Sequence, residues 1–308
     1  MRSVAMAQSR QIQRAGSARR RAALALTLTG RPDERDPAVD QFLHFASTAQ
    51  LCVDELWVAE QDGVLLASVL IVPSAGRTAM LFASPGHERQ HLQVTCELVR
   101  EAVTGQDRQK IRLIQALLEP SQQLERQALT GAGFTALAQL LYMRSTGTSQ
   151  GAPMALAPSI QVLNWHRHRR DLFAEAILAS YAQTLDCPAL VGLRDIDDIL
   201  AGHMATGTFV PKLWFALWSD GDPVGVMLLN PVPPQRALEL VYLGLSPGRR
   251  RRGLGRQLLR HALWLARRYE AGRIVLAVDR QNVPALELYR SLGFHQTARK
   301  NAMILALR

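Results

Sequence analysis

Hydrophobic and polar positions in the second half of the chain switch between the two-residue period of a strand and the 3.6-residue period of a helix. Glycine, proline and polar residues separate these segments. The predicted strands cover residues 214–217, 224–229, 238–245 and 274–278, and the predicted helices cover 257–268 and 283–292. This order predicts a domain in which strands and helices alternate around one sheet.

The first half of the chain repeats the pattern in a degenerate form. Ser84-Pro85-Gly86 follows an apolar strand, as Ser246-Pro247-Gly248 does, and Gly133-Phe134 closes a helix, as Gly293-Phe294 does. The two offsets, 162 and 160 residues, nearly agree. We therefore predict two tandem domains of one fold, joined by a linker at residues 151–158.

A basic turn that contains glycine lies between the strand at 238–245 and the helix at 257–268. It reads Arg250-Arg251-Arg252-Gly253-Leu254-Gly255. Glycine allows close approach of the backbone, and the free N–H groups at a helix N-terminus attract anions. A Walker loop is excluded by Arg256-Gln257, and a dinucleotide fingerprint by Leu258 at its third glycine. The turn predicts a pyrophosphate site of another class, with a basic surface turn as the alternative.

A second group of residues follows the strand at 274–278. Asn282 is placed to cap the next helix, Pro284 occupies its first turn, and Gly293 ends it. The R-x-x-G-x-G turn, with Asn282, Tyr289 and a Leu-Gly-Phe ending at this spacing, resembles the acetyl-CoA-binding motifs of the GNAT acyltransferase superfamily. The resemblance covers the pattern of residues 159–308.

The resemblance implies acetyl-CoA as co-substrate and a splayed strand whose backbone groups at Leu243 and Leu245 hold the pantetheine arm. The N–H of Leu243 would polarise the thioester carbonyl. Asn282 would contact the pantetheine arm, and Tyr289, close to two helical turns later, would protonate the leaving thiolate. The residues expected at the pyrophosphate are Arg250, Arg251, Arg252, Gly253, Leu254, Gly255 and Arg256. A helix cap for Asn282 and a core position for Tyr289 are the alternatives.

Glu239 is the candidate general base. It lies fourteen residues before Gly253 on the same strand, where several members of the superfamily carry a catalytic glutamate. A carboxylate can take the proton of an ammonium group, directly or through a water, and so free the amine for attack. The alternative is a solvent-facing position in the alternating segment Leu238-Glu239-Leu240.

Together with the repeat, the resemblance implies an α/β fold (α+β, mixed sheet) of two tandem GNAT-like domains, each a mixed, largely antiparallel sheet flanked by helices. We predict a basic, disordered tail at 1–22, a degenerate domain at 23–150, the linker at 151–158 and the catalytic domain at 159–308. The first domain has His91, Gln93 and Leu129 in the places of Gly253, Gly255 and Tyr289. We therefore expect it to be structural.

Composition and charge further narrow the class of protein and its expected partners. The net charge is +10, and residues 1–21 hold six arginines and no acid, which favours a solvated tail over a nucleic-acid partner. The three scattered cysteines, Cys52, Cys96 and Cys187, predict a cytoplasmic protein without a disulfide framework or a metal site. No apolar run reaches the roughly 20 residues of a membrane span, so we expect no membrane partner.

The leading hypothesis is an N-acetyltransferase that moves an acetyl group to a primary amine of a small molecule by direct attack in a ternary complex. The alternatives are a protein lysine or N-terminal acetyltransferase, and a non-catalytic acyl-CoA-binding sensor or interaction module. The segment before the motifs is expected to hold the acceptor. Asp186 is placed there to hold an amine and His166 to assist proton transfer, with a helix cap and a surface residue as the alternatives.

Overall fold

The computed structural model describes residues 10–86 and 89–307. In chain order the elements are β1 (Gln11–Arg14), α1 (Ser17–Thr29), α2 (Pro37–Thr48), β2 (Leu56–Gln61), β3 (Val64–Ser74), β4 (Thr78–Ala83), α3 (Arg89–Thr104), β5 (Leu113–Leu118), α4 (Gln123–Gly131), β6 (Thr135–Ser145), β7 (Gln161–Asn164), α5 (Arg170–Tyr181), α6 (Ile196–Ala205), β8 (Trp214–Ser219), β9 (Asp222–Val232), β10 (Ala237–Leu245), α7 (Leu254–Arg268), β11 (Ile274–Asp279), α8 (Val283–Ser291) and β12 (Phe294–Ala306). These elements form two compact units.

The first unit contains the chain up to Ala136 together with the residues from Asn301 onward. Its strands are ordered β1-β2-β3-β4-β5-β12, and only the β4–β5 pair is parallel. Alternation along β3 sends Leu70 into a core shared with α1 and α2, and Ile71 into a core shared with α3 and α4. Both faces of this sheet are therefore covered by helices.

The second unit contains residues Leu137–Lys300. From β6 its strands are ordered β6-β11-β10-β9-β8-β7, and only the β10–β11 pair is parallel. On β8, Trp214 faces the core under α5 and α6, whereas Phe215 faces the core under α7 and α8. The predicted fold class, a mixed and largely antiparallel sheet flanked by helices, is confirmed in this unit and in the first.

The units divide the chain differently from the predicted domain boundaries because two strands are exchanged. Residues Leu140–Arg144 of β6 pair with β11 in the second unit, and residues Asn301–Ala306 of β12 pair with β5 in the first. Leu141 and Met143 are buried in the second unit, and Met303 is buried in the first. The buried positions alternate in β6, whereas β12 buries three consecutive residues, Ala302 to Ile304. Neither pattern specifies which strand it pairs with, so the sequence does not reveal the exchange.

The structure differs from the expected disordered tail. Residues Gln11–Arg14 pair with β2, and Arg19, Arg20 and Arg21 form ion pairs with acids that lie 19 or more residues away in the chain. Because these acids are distant in sequence, the run of arginines looked uncompensated. The first nine residues of the expected tail lie outside the described part of the chain.

The expected linker packs along α7 in the second unit. The N–H of Ala152 donates to the carbonyl of Arg260 at 3.0 Å. Gly151 lies so close to α7 that a Cβ atom there would come within 2.5 Å of the backbone nitrogen of Trp264. Met154 and Leu156 add apolar contacts to the same core. This segment is therefore part of the packed unit.

Candidate functional site

The parallel strands β10 and β11 separate soon after they meet. They pair only at Leu238–Ile274 and Glu239–Val275, while β10 stays paired with β9 as far as Leu245. A bulge between Leu240 and Tyr242 marks the point of divergence on β10. The resulting V-shaped opening forms a cavity of about 580 Å³, lined by Leu240 to Leu245 of β10 and by Ala277 and Val278 of β11.

The open end of this cavity meets the N-terminus of α7. Gly253 caps the helix with φ of 81°, a conformation that glycine adopts without strain, and a Cβ atom there would meet nothing within 4 Å. No side chain caps this helix, and its first turn has no acidic residue. The first N–H groups of α7 are therefore available to an anion, and the helix dipole favours one. Arg251, Gly255 and Arg256 also line the cavity.

The side chain of Arg250 lines the cavity and is held there by backbone carbonyls, while the pyrophosphate contact expected of this residue stays a prediction. Its guanidinium donates to the carbonyls of Leu245, Ser180, Ala182 and Gln183 at 2.7–3.0 Å. Its own N–H faces the carbonyl of Pro247 at 3.3 Å. The charge of Arg250 is thus directed at the C-terminal end of α5, where carbonyl groups need donors.

Two other expected pyrophosphate residues have more limited contacts. The side chain of Leu254 is buried in the core under α7, so only its backbone N–H can face an anion. Arg252 is exposed and does not line the cavity. The structure therefore concentrates the candidate anion contacts on the helix N-terminus, Arg251 and Arg256.

Helix α8 brings Asn282 and Tyr289 to the same cavity. Asn282 caps the helix, since its Oδ1 accepts the N–H of Ala285 at 3.4 Å, so the capping role and a place in the cavity coexist. Tyr289 is buried, with its ring 5.7 Å from that of Phe294. Burial, and to a smaller degree the charge of Asp186, raises the pKa of Tyr289 above its usual range. Its hydroxyl therefore stays protonated at neutral pH and can donate.

Glu239 lies at the closed end of the splay, outside the lining of the cavity. It pairs with Asn230 of β9, whose Oδ1 accepts from the buried Trp214, so Glu239 faces the side of the sheet that carries α5 and α6. Burial raises the pKa of Glu239. Burial and the charge of Glu239 also raise the pKa of Tyr142 on β6. The alternative interpretation, a solvent-facing position, does not match this partly buried side chain, whereas the role of general base stays a prediction.

The structure adds residues that the sequence did not single out. Tyr242 and Ser180 line the cavity, and their hydroxyls are 2.7 Å apart. The bulge in β10 shifts the alternation at Tyr242, which hides its orientation in the sequence. Asp186, weighed above as a helix cap or an amine ligand, lines the cavity as well. His166 lies outside it and accepts the N–H of His168 at 3.3 Å, in keeping with the surface interpretation.

The counterpart of this site in the first unit contains its own carboxylate. Glu125 is buried, and its side chain accepts the N–H of Gly86 at 2.9 Å, directly after the strand that corresponds to β10. Ala285 stands at the position that corresponds to Glu125. A negative charge at this place repels phosphate and occupies a backbone donor.

Among the residues that the structure describes, no cluster of three or more His, Cys, Asp or Glu side chains is placed to hold a metal ion. Within the same residues, no helix combines the length and the apolar character that crossing a membrane requires.

A splayed strand pair with an anion site at its open end is the arrangement expected for acyltransferases that use coenzyme A. Residues 186–294 match the acetyltransferase (GNAT) family. They include the splay, the N-terminus of α7 and both site residues of α8. This part of the chain is therefore a GNAT acetyltransferase domain.

Curated relatives align with 27–30% of the chain. Streptothricin acetyltransferase of Streptomyces lavendulae is 35% identical over 83 residues, which is 27% of this chain and 44% of the relative. Mycothiol acetyltransferase of Beutenbergia cavernae is 37% identical over 29% of this chain and 31% of the relative. A peptidyl-lysine N-acetyltransferase of Salmonella typhimurium is 33% identical over 30% of this chain and 57% of the relative. The chain thus spans between a third and just over half of these relatives.

Two solved structures share the fold over nearly the whole chain. A GCN5-related N-acetyltransferase from Sphaerobacter thermophilus has a TM-score of 0.61 at 17% identity and covers 97% of this chain and 96% of its own. A tandem GNAT protein from the clavulanic acid biosynthesis pathway has a TM-score of 0.52 at 14% identity, over 97% and 98%. The tandem arrangement predicted from the repeat therefore has a structural precedent.

Proposed function

We propose that this protein is an N-acetyltransferase that moves an acetyl group from acetyl-CoA to a primary amine of a small molecule, by direct attack in a ternary complex. The observation that carries the proposal is the cavity between β10 and β11. It joins an anion site on α7, exposed strand backbone on β10 and a buried tyrosine on α8.

The residues present fit acetyl-CoA. The first N–H groups of α7, with Arg251 and Arg256, would hold its pyrophosphate. Because β11 has turned away from β10 beyond Glu239, backbone groups around Leu243 and Leu245 have no partner on β11 and would bind the pantetheine arm, with the carbonyl of Leu245 already accepting from Arg250. Asn282 lines the same cavity and would contact that arm from α8. When bound, acetyl-CoA supplies an activated acetyl group.

Three groups of the chain would carry the chemistry. The N–H of Leu243 would donate to the thioester carbonyl and stabilise negative charge on its oxygen. Glu239 would take the proton of the acceptor ammonium through a water, since it lies beside the cavity and not in its wall. Tyr289 would protonate the thiolate of the departing CoA, which its raised pKa permits at neutral pH.

Transfer to a protein amine is the second candidate, favoured by the similarity to a peptidyl-lysine acetyltransferase. A small-molecule acceptor has the stronger support because the end of α5 and the loop that follows line one side of the cavity, through Ser180, Thr184 and Asp186. An extended peptide requires a groove that is open at both ends.

Calorimetric titration of acetyl-CoA into the intact chain tests the cofactor site. We expect one site per chain, and its loss in the Gly253→Asp, Gly255→Asp double variant, because two carboxylates would then face the phosphates. Glu125 and the absence of both glycines predict that the first unit contributes no second site. Two sites would contradict that interpretation, and no binding would overturn the acetyltransferase proposal.

A thiol-release assay on a panel of amines and lysine peptides then tests the reaction. Turnover confined to small amines supports the proposal, and turnover confined to peptides replaces it with the second candidate. Glu239→Gln should lower kcat about 100-fold, within the usual contribution of a general base, with acetyl-CoA affinity unchanged. Binding of acetyl-CoA without transfer to any acceptor would identify a sensor in place of an enzyme.

A further inference from the structure

The segment from Ser180 to Cys187 spans the splay between β10 and β11, and we call it the strap; it comprises the last two residues of α5 and the loop that follows. At the β10 side, Arg250 donates to the carbonyls of Ser180 and Gln183 at 3.0 and 2.9 Å. At the β11 side, the carboxylate of Asp186 accepts the N–H of Asp279 at 2.9 Å, and the carboxylate of Asp279 accepts the N–H of Cys187 at 3.2 Å. The strap is therefore fastened to both arms of the V.

The two carboxylates of this reciprocal pair have different surroundings. Asp186 lines the cavity that contains Tyr289 and Leu243, whereas Asp279 is buried outside it and also accepts the N–H of Gln281 at 2.9 Å. Burial raises the pKa of Asp186; the hydrogen bond from Asp279 lowers it by less, and the charge of Asp279 raises it further. The charge that acts on the carboxylate of Asp186 is thus the negative charge of Asp279.

Titratable side chains from five segments of the second unit lie near Asp186. They are Tyr181 of α5, Cys187 of the strap, Tyr242 of β10, Asp279 of β11 and Tyr289 of α8. None of these side chains is a cation. Two cations act on members of this group: Arg194 on Tyr181, and Arg250, which also lines the cavity, on Tyr242. The guanidinium of Arg250 is engaged by four backbone carbonyls.

The two ends of the cavity consequently carry charges of opposite sign. Arg251, Arg256 and the N-terminus of α7 make one end positive, which suits a pyrophosphate. Asp186 makes the part of the wall that the strap forms negative, and the carboxylate of Asp279 lies next to it outside the cavity. A cationic group gains from that wall, whereas an acceptor with a carboxylate beside its amine loses by like-charge repulsion.

We infer that Asp186 holds the ammonium group of the acceptor, and that the acceptor is a cationic primary amine without a carboxylate next to the amino group. The inference rests on the proposed function and defines its substrate class. Asp186 would bind the amine beside the thioester, and Glu239 at the closed end of the splay would then receive the proton. Asp186 is a binding and specificity residue in this scheme.

The alternative is that Asp186 only fastens the strap, and a matched pair of variants separates the two roles. Asp186→Asn keeps an oxygen that accepts the N–H of Asp279 and removes the charge in the cavity wall. Asp279→Asn keeps an oxygen for the N–H of Cys187, gives up the second oxygen that accepts the N–H of Gln281, and removes a more deeply buried charge outside the cavity. A purely structural role predicts similar effects of both changes.

Initial rates with tyramine and tyrosine, and with agmatine and arginine, provide the test, since the two members of each pair differ only by a carboxylate beside their one primary amine. We expect transfer to tyramine and agmatine and at least tenfold lower kcat/KM for tyrosine and arginine. In Asp186→Asn, KM for the amine should rise about 10- to 100-fold, the loss of one charge-assisted hydrogen bond. The affinity for acetyl-CoA should stay within twofold, and Asp279→Asn should leave KM within about threefold.

The pH dependence adds a measurement that a structural role would not change. Because the pKa of Asp186 is raised, KM for the amine should begin to rise at a higher pH on acidification than an ordinary aspartate would give. This rise should vanish in Asp186→Asn. Equal KM values in Asp186→Asn and wild type, or equal losses in both Asn variants, would overturn the inference and leave the proposed function intact. Absence of transfer to every amine tested would remove both.

Discussion

The guanidinium of Arg250 donates to the carbonyl of Ser180 at 3.0 Å, joining the turn before α7 to the end of α5 across 70 residues of sequence. Three further carbonyls share the same guanidinium. Arg250→Met should therefore lower the free energy of unfolding by about 2 kcal/mol, since charged hydrogen bonds contribute roughly 1.5–3 kcal/mol each and part of this group is solvated. Urea denaturation measures the change. Arg252→Met, an exposed neighbour outside these contacts, is the control, and equal losses in both variants would refute this role.

Tyr289→Phe should lower kcat about 100-fold and leave the acetyl-CoA affinity unchanged, because it removes only the proton donor for the thiolate. Since burial raises the pKa of Tyr289, its proton is lost only above the ordinary tyrosine range. The wild-type rate should therefore show no alkaline decline from this group below about pH 10. A pH–rate profile with saturating amine checks this. An unchanged kcat in the variant would assign Tyr289 to the core alone.

His203 predicts an acid-sensitive stability. Its ring stacks on Tyr242 at 5.6 Å, and its buried Nε2 has no hydrogen-bond partner among the described residues. Burial, followed by the charge of Arg194, lowers the pKa of His203 from 6.5 to about 4. The unfolded chain then binds a proton that the folded chain does not, so stability falls as pH drops from 6.5 towards 4, by up to about 3 kcal/mol.

Denaturant titrations between pH 4 and 8 measure this dependence of the unfolding free energy. In His203→Phe, which keeps a ring against Tyr242, the slope between pH 6.5 and 4 should become smaller, and stability at pH 7 should not fall by more than about 1 kcal/mol. A slope identical to that of the wild type would show that other groups cause the acid sensitivity.

Gly151→Ala should destabilise the second unit, because the added Cβ would lie 2.5 Å from the nitrogen of Trp264 and 2.8 Å from the carbonyl carbon of Leu263. Backbone atoms of α7 cannot yield as a flexible side chain does, so we expect a loss of about 1–3 kcal/mol. Gly147→Ala is the matched control, since a Cβ there meets nothing within 4 Å. Thermal unfolding of the two variants should differ clearly, and equal melting temperatures would contradict the close contact.

The sequence predicted the features that depend on local chemistry. The helix at 283–292 was expected from Asn282, Pro284 and Gly293, and α8 begins and ends within one residue of that range. The glycine turn before a helix was expected from residues 250–255, and Gly253 indeed precedes α7 with a positive φ, whereas the anion site itself stays a prediction. The repeat predicted two units with the same order of elements. In each case the signal lies within a few neighbouring residues.

The features that the sequence did not reveal depend on partners far away in the chain. Arg250 donates to a backbone carbonyl at the end of α5. Because every residue has a backbone carbonyl, no sequence pattern marks this one as its partner. The bond between Asp186 and Asp279 joins residues 93 positions apart. The face of the sheet on which Tyr242 lies depends on a bulge in β10. One extra residue creates such a bulge, and no particular residue type marks it in the sequence. The strand exchange leaves no trace because the apolar pattern of a strand does not specify its partner strand.

That exchange has a consequence for synthesis on the ribosome. β5 obtains its β12 partner only from Asn301 onward, so the edge of the first sheet stays open while residues 137–300 are made. An open edge can pair with another chain, and this period lasts roughly 10 to 30 seconds at 5–20 residues per second. The half of the protein that is made first is therefore the half that is completed last, and a ribosome that stalls before residue 301 holds an incomplete first unit.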